Sequence, residues 1–96
     1  MSNSSEIWQL DEHVRFRRLF DEGVVIHQDQ AESIVLNDTG VTFLELCDGQ
    51  HDMGEIIRIM SEAFDVDSET LLEDLRSFIE ELAELGIIHR VDETQV

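Results

Sequence analysis

Ninety-six residues and 11.1 kDa hold one domain with one modest core, too little chain for a nucleotide-binding domain with a separate substrate domain. Six arginines, no lysine and 23 acidic residues give a net charge of −17. That charge disfavours DNA, RNA and anionic lipid surfaces, where neutralising phosphate supplies most of the affinity.

A single cysteine, Cys47, excludes an internal disulfide framework and a multi-cysteine zinc site, and fits a reducing cytosol. Residues 1–13 read as a flexible N-terminal segment, polar over the first six positions and without the basic and apolar regions of a signal peptide. Ile7 and Trp8 within it are expected to form an apolar flap on the edge of the core. No run approaches the roughly 18 consecutive apolar residues of a membrane span. The expectation is a soluble, cytoplasmic protein.

Residues 14–36 have β character. Val14 to Phe20 mostly alternates apolar and charged side chains, as a half-buried strand does. Asp21-Glu22-Gly23 signals a turn, with Gly23 able to take positive φ. Val24 to Gln28 is short and β-branched, a second strand. Asp29-Gln30-Ala31 turns again, and Ser33-Ile34-Val35-Leu36 is a third. Three short strands with tight turns predict an antiparallel meander.

Residues 37–86 read as three helices. Asn37 or Asp38 caps the first, which carries Phe43, Leu44 and Cys47 at helical spacing and ends at Asp48-Gly49. Asp52 with Glu55 predicts a capping box for the second, whose apolar face is Met53, Ile56, Ile57, Met60 and Phe64. Ser68 is the expected cap of the third, and Gly86 its terminator. Ile87 to Val91 is a last extended segment, and 92–96 a tail. On a helical wheel Leu71, Leu75, Phe78, Leu82 and Leu85 form the core face of the third helix. Leu72, Ile79 and Ala83 make a second apolar stripe, bordered by Arg76. Periodicity alone places this helix between two packed elements.

Candidate chemistry is sparse. Asp38-Thr39-Gly40 after an apolar strand matches the aspartic-protease signature, but that fold is nearly all β and about fifty helix-patterned residues follow here. A helix cap explains the triplet better. Asp65-x-Asp67-x-Glu69 opens like a calcium loop, yet Thr70 and Arg76 stand where glycine and a bidentate glutamate are required. His13, His27, His51 and His89 show no metal-ligand spacing. Cys47 sits on an apolar face and reads as inert core. No residue set indicates an enzyme, a cofactor or a metal.

Three strands followed by three helices and an extended segment predict an α+β winged helix-turn-helix, with an N-terminal antiparallel meander, over residues 14–91. Its third helix is too acidic to enter a phosphate groove. Leu36-Asn37-x-Thr39, Leu44-x-Leu46-Cys47-Asp48-Gly49, Phe64-Asp65-Val66-Asp67, Phe78-Ile79-x-x-Leu82 and Leu85-Gly86-Ile87-Ile88 together resemble the PqqD-like family. The family's usual Pro-Glu before the third strand is replaced here by Gln30-Ala31-Glu32.

The resemblance implies a non-enzymatic peptide chaperone. Its members bind the leader of a ribosomally made precursor and present it to a modifying enzyme, a radical S-adenosylmethionine protein or a leader protease. The peptide is then expected as an added strand along Ser33, Ile34, Val35, Leu36 and Asn37, against a wall of Leu72, Arg76, Ile79 and Ala83. Arg76 would meet an acidic leader residue. The competing readings are an acidic winged-helix adaptor and a dimeric aspartic protease.

Overall fold

The computed structural model describes residues 5–29 and 32–91. The first four residues, the Gln30-Ala31 part of the second expected turn and the tail 92–96 lie outside them. The chain folds as α+β, with two three-stranded antiparallel sheets and three helices. No described helix is long and apolar enough to cross a membrane.

One sheet contains β2 (Val14–Leu19), β3 (Glu22–His27) and β4 (Glu32–Asn37), in that spatial order. The pleat sends Val14, Val25 and Leu36 inward, where they are 4%, 1% and 8% exposed. Arg15, Arg17, Ile26 and Val35 point outward. Leu19 pairs with Glu22, so the turn is Phe20-Asp21 and not the expected Asp21-Glu22-Gly23. Phe20 itself takes positive φ (58°), a costly state for a bulky residue, and its carbonyl accepts a bond from Arg18 Nη1 at 3.2 Å. Gly23 lies inside β3 because α1 crosses there: a Cβ would sit 2.5 Å from Val41 Cγ2.

The other sheet places residues 7–10 of the expected flexible segment in a strand. Ile7–Leu10 forms β1, the central strand between β5 (Asp48–Asp52) and β6 (Ile88–Arg90). Its partners are some 40 and 80 positions away in sequence, so no local pattern announces it. Trp8 is 8% exposed, and Arg90 stacks over its ring at 5.7 Å. Just before the strand, the buried Glu6 carboxylate accepts a bond from Arg76 Nη1 at 3.2 Å and faces Arg90 Nη1 at 3.6 Å.

Helix α1 (Asp38–Leu46) starts on Asn37, whose side-chain oxygen accepts the Gly40 amide at 2.9 Å. It ends at Cys47 and not at Asp48-Gly49, because those residues are drawn into β5 against β1; Gly49 keeps a positive φ of 80° there. Helix α2 (Met53–Phe64) has the expected capping box, with both Asp52 and Glu55 engaged. Helix α3 (Ser68–Glu84) is capped by Asp67 and not by Ser68; the carboxylate accepts the Glu69 and Thr70 amides. Gly86, at φ 76°, follows the helix as expected.

The core joins Phe43, Leu44, Ile56 and Met60 to the buried face of α3. That face is Leu71, Leu75, Ile79 and Leu82. Phe78 is only half-buried and Leu85 is 37% exposed.

Candidate functional site

Strand β4 pairs with β3 on one side only, and among the described residues nothing pairs with its other edge. A strand edge of this kind presents unpaired amides and carbonyls in a row. Along β4, Ile34 is half-buried and Leu36 buried on the inner face, while Ser33 and Val35 are exposed on the outer face. Val35 is 66% exposed. The strand runs straight into α1 through Asn37, which keeps an extended backbone (φ −80°, ψ −178°) while its side chain caps the helix.

Two clefts flank the C-terminal end of this edge. The inner one, about 260 Å³, is lined by Asn37, Thr39, Gly40, Asp74, Leu75 and Phe78. Its shape depends on Gly40: a Cβ there would lie 3.2 Å from both Phe78 Cζ and Leu36 Cβ. The Phe78 ring is held edge-on against Phe43, centroids 6.0 Å apart at 64°. The second cleft, about 310 Å³, is lined by Asp21, Glu22, Val35, Leu36 and Asn37. Asn37 belongs to both.

Electrostatically the edge is acidic. Asp21, Glu22 and Asp74 form no ion pair among the described residues. By contrast Asp38 and Glu45 are both taken by Arg18, at 2.8 and 3.0 Å, with Thr42 Oγ1 accepting a further bond at 2.7 Å. The Glu45 and Asp38 bonds drive the guanidinium pKa further up, and the pair of contacts ties β2 to α1. Asp38-Thr39-Gly40 is accordingly the first turn of a helix, its carboxylate already occupied.

The structure brings Ser33, Ile34, Val35, Leu36 and Asn37 together along the open edge. It does not bring the expected wall to them. Ile79 is 3% exposed, inside the core, and Leu72 packs half-buried against it. Arg76 is bonded to Glu6, and Ala83 is exposed. These four lie roughly 100–160° around the helix from Phe78 at 100° per residue. The wide apolar arc of α3 arises because the helix packs against both α2 and β6, with Arg76 of the second stripe turned towards Glu6 at the start of β1. The α3 residues lining the cleft at Asn37, the end of β4, are Asp74, Leu75 and Phe78. Leu75, 2% exposed, is core as its spacing predicts and reaches the cleft only at its edge; sequence reasoning assigned Phe78 wholly to the core and missed Asp74, since a half-buried aromatic and a sealed one have the same helical spacing.

Cys47 is 2% exposed, and burial, with a smaller push from Asp48, raises its thiol pKa far above the ordinary value. It is unsuited to nucleophilic work. Among the described residues no three His, Cys, Asp or Glu side chains converge on a point where a metal ion could sit.

The family model for coenzyme PQQ synthesis protein D (PqqD) matches residues 22–88. No curated protein sequence matches the chain significantly. Two solved structures share the fold. One is TbiB1 in complex with the TbiA(beta) leader peptide: 23% identity, TM-score 0.76, covering 84% of this chain and 94% of that one. The other is the solution NMR structure of the PqqD truncation of Methylobacterium extorquens PqqCD, a functional, stand-alone recognition element for ribosomally synthesised and post-translationally modified peptides. It is 24% identical with a TM-score of 0.75, over 93% of this chain and 94% of that one. The family match runs from β3 to the first residue of β6 and takes in the open edge, all three helices, the inner cleft and all of the second cleft but Asp21, so this chain belongs to the PqqD family.

Proposed function

We propose that this protein is a non-catalytic recognition element that binds the leader segment of a ribosomally made precursor peptide as an extra antiparallel strand on β4. The single observation that carries the reading is the open β4 edge beside a cleft floored by Gly40 and walled by Phe78. TbiB1 is seen with a leader peptide and the Methylobacterium extorquens domain is a recognition element, and both support it.

The energetics assign different roles to backbone and side chains. A five-residue strand added to β4 gains main-chain bonds of about 0.5–1.5 kcal/mol each. Ordering the peptide costs about 1–2 kcal/mol per residue. The two nearly cancel, so affinity comes from side chains entering the clefts and the ladder fixes register. The bound leader is presented to a modifying enzyme, a radical S-adenosylmethionine protein or a leader protease, in the cytoplasm. The core of the peptide stays outside the cleft and free to react.

The test is a titration of the isotopically labelled chain with the leader of the precursor peptide encoded beside it. Alternate β4 amides should gain hydrogen-exchange protection, and Gly40, Asp74 and Phe78 should show the largest shift changes. Changes confined to the outward Arg15 and Arg17 of β2, with β4 amides unaffected, would refute strand addition.

A further inference from the structure

The two clefts at the end of β4 share Asn37: one runs to Leu75 and Phe78 of α3, the other to Asp21, the outward Glu22 and Val35, with Leu36 at its margin. A β-strand alternates its side chains between faces. An antiparallel strand added to β4 therefore places the residue opposite Leu36 inward, towards Leu75 and Phe78. Its neighbours opposite Val35 and Asn37 point outward, over the second cleft. Most outer sheet surfaces that face water carry polar side chains. This one instead exposes Val35 at 66%, beside Val24, its cross-strand partner. Asn37 is paired with Glu22, and Glu22 and Asp21 form the acidic rim of that outer cleft.

Resting on the strand-addition reading, we propose that the peptide is read on both faces at once. Its register triplet, from N to C, is a basic residue opposite Asn37, an apolar residue opposite Leu36 and a second apolar residue opposite Val35. The apolar pair is sorted by the pleat: one side chain drops against Leu75 and Phe78, the other covers Val35. The basic residue extends the row Leu19–Glu22–Asn37 by one strand. Two strand spacings of about 4.8 Å separate it from Glu22. An extended lysine or arginine and a glutamate span that distance between them. Charge complementarity selects this occupant: the rim carboxylates have no ion pair among the described residues, and the chain's net charge is −17. An acidic residue at the same place would be repelled.

The experiment is an mRNA-display selection of random 12-residue peptides on the full chain, repeated on Val35→Ser and on the double variant Asp21→Asn/Glu22→Gln. All three positions are exposed, so the variants keep the fold. The expected wild-type consensus is basic–apolar–apolar, with affinity falling as salt rises. The double variant should lose the basic preference and bind the wild-type consensus peptide about tenfold more weakly. Val35→Ser should lose the last apolar preference alone. If enriched peptides protect β4 amides but show preference only at the inward position, two-face reading is wrong and strand addition stands. Two-face reading also fails, with strand addition intact, if the double variant binds the consensus peptide within twofold of wild type. If selection enriches nothing, or enriched peptides leave β4 amides unprotected, both fail.

Discussion

Ile79→Ala decides which flank of α3 is sealed. The Ile79 side chain is 3% exposed and packs with Leu75 and Leu82 in the common core. The substitution removes three buried carbons, about 2.4 kcal/mol at roughly 0.8 kcal/mol each. The cavity left behind brings the expected loss to about 3–4 kcal/mol, within the usual span for such truncations. A domain of this size has about 5–10 kcal/mol of stability in total, so the variant should still fold. Urea denaturation followed by circular dichroism reads the effect. With a slope of about 1–1.5 kcal/mol per molar, the midpoint should fall by about 2–4 M while the slope itself is unchanged. A loss below about 1 kcal/mol would refute the packing argument. Ile79 would then line an open wall, and the peptide groove would belong on that side of the helix.

Trp8→Ala should cost about 3–5 kcal/mol and lower the melting temperature by more than about 15 °C, because β1 is the middle strand of its sheet; a melt near that of wild type would show β1 to be an undocked flap. Cys47 should react slowly with a thiol reagent at pH 8 and at once in denaturing urea, since burial disfavours the thiolate; rapid labelling of the folded chain would contradict its placement. Asp48 is raised by partial burial, but the amides of Gln50 and His51 and the His51 ring outweigh this and leave its pKa below the ordinary 3.8. A depressed folded pKa gives stability that is present above the unfolded value and lost as pH falls through the folded one. The stability gap between wild type and Asp48→Asn should therefore be constant at neutral pH and close below about pH 4; a gap that widened on acidification would reverse the sign.

The sequence determined whatever depends on neighbours along the chain. The alternation in Val14 to Leu19 and the β-branched runs after it gave the strands of one sheet, and the Asp52–Glu55 spacing gave the start of α2. Charge alone argued against a nucleic-acid partner. Tertiary structure decided what depends on distant partners. Four residues around Trp8 become a strand only because β5 and β6 arrive on either side, and those partners in turn draw Asp48-Gly49 out of a helix end. Gly23 looks like a turn residue until α1 brings Val41 against it. The site shows the same division. Ser33 to Asn37 could be read as an edge because strand order follows from short turns. The helix wall could not, since a wheel gives the angle of each side chain and not which neighbour stands at that angle. Helix α3 packs against α2 and β6, and only the positions of its neighbours in space assign Ile79 to the core and Phe78 to the cleft.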